Sequence, residues 1–153
     1  MAVRITVPYE KLFLSPLSLE ATYQYFSNFE KSIPGNFPGL EVFEPQGNET
    51  YRWVFEKVGH SGYELQIQLI TRFEKHPHSR INAVSVAAPG ASGFKGGWAF
   101  QSQGEKTQVT FQAQFEIELP IPSLLKSMAA PLAQRELTKL FDRYIARVEK
   151  NIS

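Results

Sequence analysis

The side chains able to carry acid–base, nucleophilic or metal chemistry are few in kind: fourteen glutamates, one aspartate (Asp142), three histidines and no cysteine. Without cysteine, disulfides, thiolate metal sites, cysteine nucleophiles and iron–sulfur clusters are excluded together. His76-Pro77-His78 falls in a hairpin-like turn, and His60 precedes Ser61-Gly62 in another. A metal site needs three or four convergent ligands, and a His-Pro-His turn supplies at most two, so these read as solvent-facing histidines and no metal is expected. A Ser-His-Asp system finds no Gly-x-Ser-x-Gly turn, and Asp142 lies in a helical stretch. The glycine-rich run 87–97 lacks the Gly-x-x-x-x-Gly-Lys-Ser/Thr spacing and opens no helix. It reads as a loop between strands, of the kind that serves as a lid.

The elements that would position any such group follow from hydrophobic period. An opening strand spans 4–13, with Ile5, Val7 and Tyr9 on one parity. A short helix over 17–29 has Leu19, Tyr23 and Phe26 at helical spacing and Ser15 or Ser18 as N-cap. In 33–39, two prolines and two glycines prevent a long helix but permit a turn or a single helical turn, which carries an exposed aromatic, Phe37. Period two then governs 40–43, 50–58, 63–73, 80–87, 98–103 and 108–119, a meander of antiparallel strands. The clearest strand sets Val109, Phe111, Ala113, Phe115, Ile117 and Leu119 against Thr110, Gln112, Gln114, Glu116 and Glu118. From 123 onward a long amphipathic helix carries Leu124, Leu125, Met128, Leu132, Leu137, Leu140, Phe141, Tyr144, Ile145 and Val148, kinked but continuous at Pro131. One economical packing exists for these parts: a curved sheet with the helix across its apolar side, an α+β fold of one domain, 1–153, with an internal cavity.

Parity also disposes of the carboxylates. Glu56, Glu64, Glu116 and Glu118, like Arg52 and Arg72, fall on the wet side of their strands, where no burial tunes a pKa toward acid–base work. No catalytic residue is assigned, and no cofactor is implied. Sixteen basic and fifteen acidic residues give a net charge of +1, far from the positive field that nucleic acid demands. The first residues lack a secretory h-region, and no apolar run approaches a membrane span, so the chain reads as cytoplasmic. What stands out is 12 Phe, 6 Tyr and 2 Trp in 153 residues, bulk that can fill a core or line a pocket.

The order of elements resembles the START-like (SRPBCC) superfamily with its helix-grip fold, which includes polyketide cyclase/dehydrase-like proteins, ubiquinone-binding carriers and lipid-transfer domains. The likeness rests on Ser15-Pro16-Leu17-Ser18-Leu19-Glu20-Ala21-Thr22-Tyr23-Gln24-Tyr25-Phe26, similar to that superfamily's first strand-to-helix passage, on Phe37-Pro38-Gly39-Leu40 and on the proline-led C-terminal helix. The resemblance implies a hydrophobic small molecule or lipid bound between sheet and helix. The expected wall is Tyr51, Trp53, Phe55, Leu65, Ile67, Leu69, Trp98, Phe100, Phe111 and Phe115 from strands and Met128, Leu132 and Tyr144 from the helix. Tyr51, Thr71 and Tyr144 would offer polar anchors, and Phe37 and Phe94 would gate the mouth. A polyketide cyclase or aromatase using the same cavity, with Tyr51 or Tyr144 assisting proton transfer, is the alternative. A third class is an accessory subunit docking transiently by an apolar rim on a membrane or partner protein.

Overall fold

Alternation sets the first strand. In the computed structural model, which describes residues 3–60, 63–87, 91–119 and 121–153, and only the backbone of 58–60 and 63–65, β1 (Val3–Ser15) buries Val3, Ile5, Val7, Phe13 and Ser15. The helical stretch is two pieces, α1 (Leu19–Ser27) and α2 (Phe29–Ser32), separated by the non-helical backbone of Asn28. Ser18 is the N-cap, its hydroxyl accepting from the Ala21 N–H at 3.2 Å, which satisfies one of the donors a helix start leaves free. The strand-to-helix passage is held by a buried hydroxyl group of three. Thr107 and Thr22 both donate to the Leu17 carbonyl, and the Ser15 and Thr22 hydroxyls are 2.8 Å apart.

The strands that follow are β2 (Leu40–Pro45), β3 (Thr50–Phe55), β4 (Val58–His60), β5 (Tyr63–Leu65), β6 (Gln68–His76), β7 (Arg80–Ser85), β8 (Gly93–Gln103) and β9 (Lys106–Leu119). Seven form one antiparallel sheet in the order β1-β9-β8-β7-β6-β3-β2, while β4 and β5 make a separate hairpin. The run 63–73, expected as one strand, therefore divides. Around Gln66 and Ile67 the chain bonds back to β3: Gln66 Nε2 donates to the Phe55 carbonyl and the Phe55 N–H to the Ile67 carbonyl.

A second correction concerns the glycines. Gly93, Gly96 and Gly97, read as loop, lie in β8. A Cβ on Gly96 would overlap the Gln112 carbonyl, and one on Gly97, at φ +151°, the Ile81 carbonyl. The two glycines are strand residues because both neighbouring strands approach too closely for a side chain. Gly96 also pairs with Ala83 and Ala113, so a row of small residues crosses three adjacent strands between the larger Trp98 and Phe94.

After a single 3₁₀ turn (Ser123–Leu125), α3 (Lys126–Ile152) runs unbroken through Pro131. Proline has no N–H to give the Ser127 carbonyl one turn back. The helix buries Leu137, Phe141, Tyr144, Ile145, Val148 and Ile152 at the 3- to 4-residue spacing of one helical face. Its aromatic members meet the sheet directly, Phe141 touching Tyr9, Phe111 and Phe115, and Tyr144 touching Phe111. Tyr9 adds a polar tie, its hydroxyl donating to Asp142 Oδ1 at 2.6 Å. The wet face of the sheet carries exposed ion pairs of Arg4 with Glu116 and Glu118, and of Arg52 with Glu44, arrangements worth little in stability.

Candidate functional site between sheet and helix

Where the sheet's apolar face meets α3, the rings do not close completely. A cavity of about 20 Å³ remains, roughly the room of one water molecule. Trp53 and Phe55 of β3, Leu69 of β6, Trp98 and Phe94 of β8, and Phe111 and Phe115 of β9 reach it from the sheet. Ala83 forms its floor, Leu140 and Phe141 close it from α3, and Phe37 closes it from the 33–39 turn. Pockets for drug-sized ligands run to several hundred Å³, so the expected cavity is, in this structure, nearly filled by its own walls.

The polar atoms around the cavity are satisfied by one another. Trp53 Nε1 donates to the Thr71 hydroxyl at 2.8 Å, and Trp98 Nε1 to the Tyr144 hydroxyl at 2.9 Å. Among the described residues no buried side-chain nitrogen or oxygen lacks a partner. Burial raises the pKa of the Tyr144 hydroxyl far above the ordinary tyrosine value, because the phenolate would have to form without water. Tyr9 is shifted the same way, by burial first and then by its bond to Asp142. Tyr51 is also raised, by burial and then by the charges of Glu30 and Glu49. Among the described residues no three His, Cys, Asp or Glu side chains converge to hold a metal.

Of the expected wall, Trp53, Phe55, Leu69, Trp98, Phe111 and Phe115 line the cavity, as do Phe37 and Phe94. The others stand elsewhere. Tyr51 is half-buried, stacked on Phe43 at 4.6 Å and edge-on to Phe29 and Phe73. Phe100 packs on Phe26 and Tyr23 of α1. Ile67 is half-buried against the core, and the Leu65 side chain lies outside the described residues. Tyr144 is fully buried behind Phe37 and Trp98, and Thr71 and Tyr144 each accept from a tryptophan N–H and keep their own hydroxyl hydrogen to donate.

Two expectations are overturned. Met128 is 71% exposed and Leu124 89%, and Leu132 is only half-buried, outside the core cluster. Leu132 precedes Phe141 by nine positions, two and a half turns at 3.6 residues per turn, so it points to the opposite side of α3. The buried stripe instead continues toward the helix start through Ala133, Ala130 and Ala129. Phe37, expected to be exposed, is 5% exposed and stacks on Tyr144 with centroids 3.9 Å apart and planes 12° from parallel. The residues missed were Ala83, Leu140 and Phe141. Ala83 shared the inward parity of its strand, but its small size hid its part in making room.

Neither a family model nor a curated protein sequence matches the chain. Solved structures do. A START superfamily protein from Mycobacterium smegmatis superposes with a TM-score of 0.70 at 14% identity, covering 95% of this chain and 96% of that one. The Zhui aromatase/cyclase from Streptomyces sp. R1128 gives 0.63 at 14% identity, over 96% and 91% of the two chains. StfQ, a di-domain ARO/CYC of the steffimycin biosynthetic pathway, gives 0.63 at 16% identity over 97% of this chain and 51% of its own. The chain has the START-like, helix-grip form of α+β fold.

Proposed function

We propose that this chain binds, and in binding carries, a hydrophobic small molecule or lipid between the sheet and α3, as a single cytoplasmic domain spanning 1–153. One observation carries the reading: a gap in the packing lies at the sheet–helix seam and is bounded only by apolar walls, eight of them aromatic rings. Burying an apolar guest there gains about 25 cal/mol per Å² removed from water, before ordering costs. With both tryptophan N–H groups already paired and only apolar residues lining the space, apolar contact and shape would select the guest. Among the described residues no helix is long and apolar enough to cross a membrane.

The cyclase reading stands second. Two structural neighbours are named as aromatase/cyclases, but no ionisable group borders this cavity, and the Tyr144 hydroxyl, held protonated by burial, is a poor proton-abstracting base. Titration with a fluorescent fatty-acid analogue tests the binding reading, because the chain's two tryptophans, Trp53 and Trp98, both line the cavity. Saturable quenching of tryptophan emission at one analogue per chain supports it. Unchanged emission up to the analogue's solubility limit contradicts it.

A further inference from the structure

Resting on the reading that this cavity takes a hydrophobic guest, we propose that segment 33–39 is a closed lid. Its Phe37 ring occupies the guest's place, and Asn36 locks it to the end of α3. Phe37 completes an aromatic box: it stacks on Tyr144 and meets Trp53 and Phe55 edge-on, at 5.4 and 6.2 Å. With that ring in place only about 20 Å³ remains, so a guest larger than water enters where Phe37 now sits, and the Tyr144 face it leaves is a ready stacking partner.

The lock is the adjacent side chain. Asn36 is 1% exposed, and its amide nitrogen donates to the Tyr25 hydroxyl and the Ser32 carbonyl, both at 2.7 Å. Its carbonyl accepts from Asn151 Nδ2, in the last turn of α3, at 2.8 Å. Both donor hydrogens and the acceptor are thus used, and one residue ties the lid to α1, α2 and α3. The lid's own backbone bonds are local, Asn36 and Phe37 N–H both donating to the Ile33 carbonyl. Its far end is fixed by Gly39, at φ +75°, whose carbonyl accepts from the Glu56 N–H. The segment between can swing out without breaking a strand pairing. Asn36 then meets water rather than being left buried without partners, so the polar lock opens reversibly while Phe37 is the group that a guest must replace.

When the binding-competent state is a minor one, apparent affinity falls in proportion to its population. Loosening the lock must therefore tighten binding. Toluene is the probe, followed through the two tryptophan indole resonances and the Phe37 amide in ¹H–¹⁵N spectra. Asn151→Ala, at an exposed position, removes one neutral hydrogen bond and should bind toluene about 2- to 10-fold more tightly than the unaltered chain. Phe37→Ala, which empties the ring's place, should bind at least about 10-fold more tightly. In the unaltered chain, toluene should shift the Phe37 amide together with Trp53 and Trp98. Equal affinity in all three proteins overturns the lid and leaves the hydrophobic-binding reading standing. Folded proteins that all ignore saturating toluene contradict both. Because Phe37→Ala makes a void of its own, Asn151→Ala decides in every case, an unchanged affinity there overturning the lock even where Phe37→Ala binds more tightly or fails to fold.

Discussion

The two ends of α3 meet the sheet by different means. From Leu137 to Ile152 the helix plants large side chains, and Phe141 and Tyr144 interleave with Phe111, Phe115 and Phe37. From Lys126 to Ala133 the same stripe is made of alanines, and the large residues, Leu124 before the helix and Met128 within it, face solvent. One end grips through rings and the other through smallness. The difference teaches that the direction of a helical stripe, rather than the size of its residues, decides which side is inward, and that the site belongs to the C-terminal part alone.

The sharpest way to break this comparison is Phe141→Ala. It removes a buried ring that bounds the cavity and contacts two strands, and should cost about 3–5 kcal/mol in chemical denaturation. A loss under about 1 kcal/mol would mean that the gripping end is not where α3 is held. Tyr144→Phe is subtler. It deletes only the oxygen that accepts from Trp98 Nε1, leaving a buried donor unpaired, and should cost about 1–3 kcal/mol. The same variant carries a pH signature. Because burial keeps the Tyr144 hydroxyl protonated to higher pH in the folded state, the associated stability is complete below about pH 10 and is lost as pH rises further, where the unfolded chain alone releases its proton. Tyr144 should contribute up to about 1.4 kcal/mol of lost stability per pH unit in that range, and Tyr144→Phe should flatten the fall, leaving the part owed to half-exposed Tyr9 and Tyr51. At the other end, Met128→Ala should change stability by no more than about 0.5 kcal/mol. A loss comparable to that of Phe141→Ala would show that the exposed face is covered by something.

Strand alternation made most of the sheet legible in advance. Val109 to Ile117 point as their parity requires, because burying one face of a strand leaves no freedom of register; Trp53 and Phe55 share the inward face, though Val54 between them is buried as well. Legibility failed where size and position disagree. Met128 and Leu132 are large and helical, and only counting turns back from Phe141 places them outside. Gly96 and Gly97 carry the usual composition of a loop, yet serve a strand whose neighbours leave no space for Cβ. Phe37 sits among prolines and glycines, which mark a turn; that the turn folds inward depends on Asn151, distant in sequence. The division of 63–73 into two strands likewise accompanies a backbone bond from the Phe55 N–H to the Ile67 carbonyl, twelve residues apart, that alternation does not encode.

The central claim is that the ring-lined space under α3 exists to hold an apolar guest, and mass spectrometry of the purified chain, native and then denatured, addresses it most directly. The account predicts a bound small molecule released on denaturation, at close to one per chain, or one acquired from a mixed lipid extract. A native mass equal to that of the bare chain, unchanged after exposure to such an extract, would contradict it.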